Sequence, residues 1–169
     1  VQFGFESGSE RVLAYLKQGT VTVEQNRRAI EVCKKHGLSV FGSFIVGSPN
    51  ETRGDIMATL DFIRNSRIDG GTVYPLIPFP GTEVWRHARE RGLVSDHMDW
   101  SKLDMEFYNP EQSITLTDKI DGKEFQELYT EIQRELATLL IGCFSGIPPR
   151  IHSRVSNVLD SQPKIFGLA

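Results

Sequence analysis

The sequence predicts an α/β protein in which three parallel βα units are followed by a mainly helical tail. Three observations carry this. Segments rich in β-branched and aromatic residues begin at Val1, Leu38 and about Thr72, 37 and 34 residues apart. A loop of Gly, Pro, Ser or Asn follows each of them. Each loop then runs into a helix opened by a Ser or Thr in capping position. Strands alternating with helices at this period specify a parallel sheet built through right-handed crossovers. The period fits an open Rossmann-type sheet or a TIM-type barrel equally.

Val1 to Phe5 alternates too little for a half-exposed strand and is expected to be a buried parallel one. Ser7 with Glu10 has capping-box spacing and predicts a short helix to Lys17, with Gly19 at its C′ position. Thr22 with Gln25 repeats the box. The next helix carries Ala29, Ile30, Cys33 and Val32 as its apolar side and ends at Gly37, after the cations Lys34 and Lys35. Leu38 to Val46 reads as a second strand. Thr52 with Asp55 opens a helix to about Ser66, with Ile56, Leu60 and Ile63 facing the core. Asp69-Gly70-Gly71 reads as a turn and Thr72 to Ile77 as a third strand. Pro78-Phe79-Pro80-Gly81 stops that strand, and Thr82 caps a helix through Arg91. Beyond Gly92 the period is lost. Ile114 to Leu116 is expected as a short strand, Lys123 to about Ile141 as a long amphipathic helix, Gly142 to Pro149 as a break, and Ile151 to Leu159 as a last helix.

Composition excludes several classes. With 39% apolar residues in 169, the chain can bury a core of its own. A net charge of −3 gives no reason to invoke nucleic acid or an anionic membrane as partner. No apolar run approaches the ~18 residues of a membrane span. Two cysteines, Cys33 and Cys143, are too few for a disulfide scaffold, a four-cysteine zinc site or an iron–sulfur cluster. The four histidines are scattered without metal-ligand spacing. The chain opens at Val1 inside a strand, which is expected of a piece of a longer protein.

Ligands of parallel α/β folds bind where the strands end at their carboxyl side. The candidate segments are therefore Glu6 to Ser9, Gly47 to Thr52 and Pro78 to Thr82. Glu6 follows a strand directly, so its carboxylate is expected at the mouth of the sheet. There it could accept from ribose hydroxyls or an ammonium group, or simply favour the next helix N-terminus. Glu51, just before the Thr52 cap, has the same ambiguity. The glycines match neither a dinucleotide fingerprint nor a Walker loop, and no serine sits in a nucleophile elbow.

Phe3 to Leu13 with Lys17-Gln18-Gly19, then Phe44 to Thr52, then Pro78 to Glu83 resemble, in order, the fourth-, fifth- and sixth-strand segments of radical S-adenosylmethionine proteins. The closest resemblance is to the branch with cobalamin-binding domains, such as the anaerobic magnesium-protoporphyrin ester cyclase type. Where that family usually has Gly, Asn50 stands. The resemblance covers about residues 1–94 and implies the C-terminal half of a partial TIM-type barrel, with residues 95–169 as an irregular linker and helical extension. It implies reductive cleavage of S-adenosylmethionine by a [4Fe–4S] cluster, giving a 5′-deoxyadenosyl radical that abstracts hydrogen from a small molecule or cofactor precursor. By position, Glu6 and Ser7 would face the ribose or methionine moiety, Ile45, Val46 and Gly47 would pack against adenine, and Pro78 and Phe79 would lie near the same ring. The family's CxxxCxxC motif is absent from these residues. The cluster ligands, and any cobalamin domain, are therefore expected upstream of Val1. The chain alone is expected to be inactive and to hold no metal. A cytoplasmic location fits this oxygen-sensitive chemistry. The competing expectation is a non-catalytic half-barrel serving as scaffold or interaction module. Either way, the strand edge at Val1 to Phe5 is expected to invite self-association.

Overall fold

A computed structural model describes residues 1–103 and 114–145. The helix expected at Ile151 to Leu159 lies outside these residues. The described elements run β1 (Gln2–Glu6), α1 (Glu10–Lys17), α2 (Val23–Lys35), β2 (Phe41–Val46), α3 (Arg53–Asn65), β3 (Gly70–Pro75), α4 (Glu83–Glu90) and α5 (Gly122–Ser145), with a 3₁₀ turn at Trp100–Lys102.

The strands form a parallel sheet in the order β1-β2-β3. Phe5, Phe44 and Val73 point to one face, where they join Ile30 of α2, Leu60 and Phe62 of α3, and Phe125 and Ile132 of α5 in a single core. Both crossover helices thus pack on the same side of a sheet whose strands follow in sequence order. A doubly wound sheet would reverse its order and cover both faces, so this is the arc of a βα barrel. The opposite face carries Gln2, Gly4, Ser43, Ile45, Thr72 and Tyr74, exposed or half-buried.

The first crossover uses two helices. The short α1 ends with Lys17 reaching back to Glu6 at 2.8 Å, so it lies beside the carboxyl end of β1. The return to β2 is made by α2, whose Asn26 side-chain amide donates to the Phe5 carbonyl at 3.1 Å. Two of the three predicted capping boxes form: Thr22 with Gln25, and Thr52 with Asp55.

Several expectations are corrected. Ser9, not Ser7, caps α1, its hydroxyl accepting from the Val12 amide. Ser7 is instead buried against α3, 3.0 Å from the Thr59 hydroxyl. β1 is not buried throughout: Gln2 and Gly4 are exposed, because they lie on the sheet face opposite the core. The second strand starts at Phe41 rather than Leu38. The third starts at Gly70, because Gly70 and Gly71 pair with Phe41 and Gly42 instead of turning. Val32 is half-exposed, so the core-facing side of α2 is made by Val23, Asn26, Ile30 and the half-buried Cys33. Ile114 to Leu116 is no strand, because the outer edge of β3 is taken by α5, whose Tyr129 hydroxyl donates to the Val73 carbonyl at 3.1 Å. The α5 helix also runs through Gly142 to Ser145, where a break was expected.

Candidate functional site

The mouth of the sheet begins with a distortion in β1. The register with β2 slips between Gly4 and Glu6, and Glu6 adopts φ +61°, a left-handed conformation rare for a residue with a side chain. Strain of this kind concentrates at functional sites. The slip folds the Glu6 carboxylate back over the open face. A Cβ on Gly4 would lie 2.5 Å from Glu6 Oε1, so a side chain there would push the carboxylate out of this position. Lys17 Nζ holds the carboxylate at 2.8 Å.

A cavity of about 510 Å³ opens at this point. Glu6, Lys17, Gln18 and Glu83 bring charge and hydrogen-bonding groups to it. Leu16, Ile45, Leu76 and Val84 supply apolar wall, and Tyr15 lies between the two. Burial, and then the Glu83 carboxylate, push the Tyr15 hydroxyl above its ordinary pKa. One wall is thus polar with both signs of charge, and the other can take an apolar ring.

Of the predicted site residues, the structure brings Glu6 and Ile45 together in this cavity. Ser7 is buried against Thr59, outside the lining. Val46 is buried on the core face of β2. Gly47 begins the loop after β2 at φ +86°. Pro78 is buried and Phe79 is exposed on the loop before α4, neither in the cavity wall. Sequence reasoning missed the other wall residues, Tyr15, Leu16, Lys17, Gln18, Leu76, Glu83 and Val84. Lys17 read only as the end of the short helix α1, and only the shortness of that helix signals that its last turn remains at the mouth.

Glu51 resolves its ambiguity. It is fully buried, and its Oε2 accepts from the amides of Gly47 at 2.5 Å and Ser48 at 2.8 Å. Its Oε1 has no partner among the described residues. Desolvation therefore outweighs the two amide bonds and pushes its pKa up to about 7, with Asp55 adding to the rise and Arg11 opposing it. Asn50 takes the left-handed conformation, φ +60°, which asparagine tolerates better than most residues and glycine supplies freely. Asn at the family's usual Gly position thus leaves the loop its turn.

The loops after β1 and β2 are fastened together. Asp55 accepts from Ser9 Oγ at 2.6 Å, from the Thr52 amide at 2.9 Å and from Arg11. Arg11 also donates to the Asn50 carbonyl at 2.9 Å. Burial opposes ionisation of Asp55, but these donors prevail and hold its pKa at about 2.

Comparison with known proteins decides the family. The radical SAM superfamily profile matches residues 1–63. The chain belongs to the radical SAM superfamily. It is 39% identical over 102 residues to an uncharacterized methyltransferase of Pyrococcus horikoshii, covering 60% of this chain and 22% of that protein. It is 29% identical over 136 residues to the bacteriochlorophyllide d C-12(1)-methyltransferase of Chlorobaculum tepidum, covering 80% and 28% respectively. It is 35% identical over 96 residues to the tRNA-2-methylthio-N(6)-dimethylallyladenosine synthase of Hydrogenovibrio crunogenus, covering 52% and 20%. The chain therefore spans between a fifth and a third of the length of these relatives. Radical SAM proteins in general use S-adenosylmethionine and a [4Fe–4S] cluster. The residues of this chain do not fit the cluster: Cys33 is half-buried on α2 and Cys143 is exposed near the end of α5. Among the described residues no group of three His, Cys, Asp or Glu could hold a metal ion. No helix among them is long and apolar enough to cross a membrane.

Proposed function

We propose that this chain is the C-terminal half of the barrel of a radical SAM enzyme that modifies a small molecule, and that it holds S-adenosylmethionine at the carboxyl ends of β1 and β2. The observation that carries this is the Glu6 carboxylate, turned over the open face by a strained backbone and paired with Lys17 in the cavity wall. The wall suits the cofactor's parts. Glu6 would accept from a vicinal diol, Lys17 and Gln18 would meet a carboxylate, and Ile45, Leu76 and Val84 would flank a flat heterocycle. When bound and reduced by a cluster held outside this chain, S-adenosylmethionine supplies a carbon radical able to abstract hydrogen. The contribution of these residues is to bind, orient and exclude water.

The names of the relatives favour methyl or methylthio transfer as the outcome for the whole protein. The net charge of −3 favours a small molecule over a nucleic acid as substrate. A cobalamin domain outside this chain and a cytoplasmic location belong to the same reading and rest on the resemblance to that branch.

The test is titration calorimetry of S-adenosylmethionine, under anaerobic conditions, on the cluster-loaded full-length protein. Glu6→Ala is expected to weaken binding by about tenfold or more, the value of a lost hydrogen bond to a charged group. Unchanged affinity would show that Glu6 serves only its ion pair with Lys17.

A further inference from the structure

We infer that the tail positions the cofactor loop: Thr117 and Phe125 hold residues 47–51 in the shape in which they meet the adenosyl cofactor. The inference rests on the function proposed above, but it concerns residues well outside the 1–63 segment that carries the family match.

Two contacts support it. Thr117 is buried, and its hydroxyl donates to the Glu51 carbonyl at 2.6 Å while accepting from the Lys119 amide at 3.1 Å. Glu51 in turn holds the Gly47 and Ser48 amides, so a continuous run of hydrogen bonds links the tail to the start of the loop. Phe125 lies on the first turn of α5, fully buried in the main core. A Cβ on Gly47 would be 3.1 Å from the tip of its ring. Gly47 is thus glycine for two reasons: its φ of +86° and the aromatic ring against which the backbone rests. The loop cannot sink toward α5 without displacing a close-packed ring, and close-packed rings move little. It cannot lift without breaking the bond to Thr117. Neither residue lines the cavity, so both are positioning residues.

The experiment is residue-resolved amide hydrogen exchange on the full chain, with Thr117→Val, Thr117→Ser and Phe125→Leu, followed by S-adenosylmethionine titration of the same variants in the cluster-loaded full-length protein. In Thr117→Val, exchange at Gly47 and Ser48 is expected to quicken by about tenfold. The Ser9 amide, bonded to Ser7 on the neighbouring loop, is expected to keep its rate. Thr117→Ser restores the hydroxyl and is expected to restore the rates. Phe125→Leu is expected to act in the same direction as Thr117→Val. Cofactor affinity is expected to fall about tenfold in Thr117→Val and to recover in Thr117→Ser. Unchanged exchange at Gly47 and Ser48 would overturn the inference. So would a rise shared equally by Ser9 and the strand amides, since that reports general destabilisation. Faster local exchange with unchanged cofactor affinity would overturn the link to the cofactor. A wild-type protein that binds no S-adenosylmethionine would instead overturn the proposed function, and the exchange comparison would still decide whether the tail holds the loop.

Discussion

Replacing Glu51 by Gln separates a buried charge from the shape that carries it. In the folded chain the carboxyl has a pKa of about 7, against 4.5 for the ordinary group. The folded state therefore binds more protons than the unfolded state between these values, and stability must fall as pH rises through that window. The contribution is fully present below pH 4.5 and lost above about pH 7. At about 1.4 kcal/mol per unit, the loss amounts to about 3 kcal/mol. Glu51→Gln keeps an oxygen acceptor for the Gly47 and Ser48 amides and cannot ionise. It adds a constant offset, from a buried amide with no partner at the Oε1 position, but no pH dependence. The assay is urea unfolding of both proteins, followed by tryptophan fluorescence, at half-unit steps from about pH 4.5 to about pH 8. The stability of wild type minus variant is expected to fall by about 3 kcal/mol across the range. Taking the difference cancels the other titrating groups. A difference flat to about 0.5 kcal/mol, or one that rises with pH, would refute the reasoning that desolvation dominates at this site.

Asp55 has the opposite sign. Its folded pKa of about 2 lies below the ordinary 3.8, so its stabilisation is present above the ordinary value and lost as pH falls toward 2. Asp55→Asn is expected to cost about 1 kcal/mol at pH 7, since solvent screens part of the linkage, and progressively less in acid, measured by the same unfolding assay. After anaerobic reconstitution with iron and sulfide, the chain by itself is expected to show no visible cluster absorption, because two separated cysteines cannot supply the thiolates. Stoichiometric iron uptake would contradict this. The outer edge of β1 carries no partner strand among the described residues, so sedimentation velocity is expected to show concentration-dependent self-association; a monomer at every concentration would contradict it.

What the sequence made legible was local. The boxes Thr22–Gln25 and Thr52–Asp55 form because both partners lie within one helical turn, and the βα period follows from chain length between strands. The choice between Ser7 and Ser9 as the α1 cap could not be made locally. It is decided by Thr59, 52 residues away, which engages the Ser7 hydroxyl. Asp69-Gly70-Gly71 looks like a turn, yet the pair extends β3 because β2 lies alongside. Ile114 to Leu116 has strand composition, but α5 already occupies the edge it would need. In the site, Glu6 was legible because a strand ends there. Lys17 and Glu83 were not, since their place in the wall depends on α1 staying at the mouth and α4 beginning there. Glu51 depended on a loop folding back upon itself, which spacing alone does not reveal.

The central claim is that the carboxyl ends of β1 and β2 receive S-adenosylmethionine. A crystal structure of the cluster-loaded full-length protein with S-adenosylmethionine bound tests it most directly. Ribose hydroxyls are expected within hydrogen-bond distance of Glu6, and adenine against the chain from Ile45 to Gly47. Cofactor bound away from both strand ends, with the cavity beside Glu6 filled only by solvent, would contradict it.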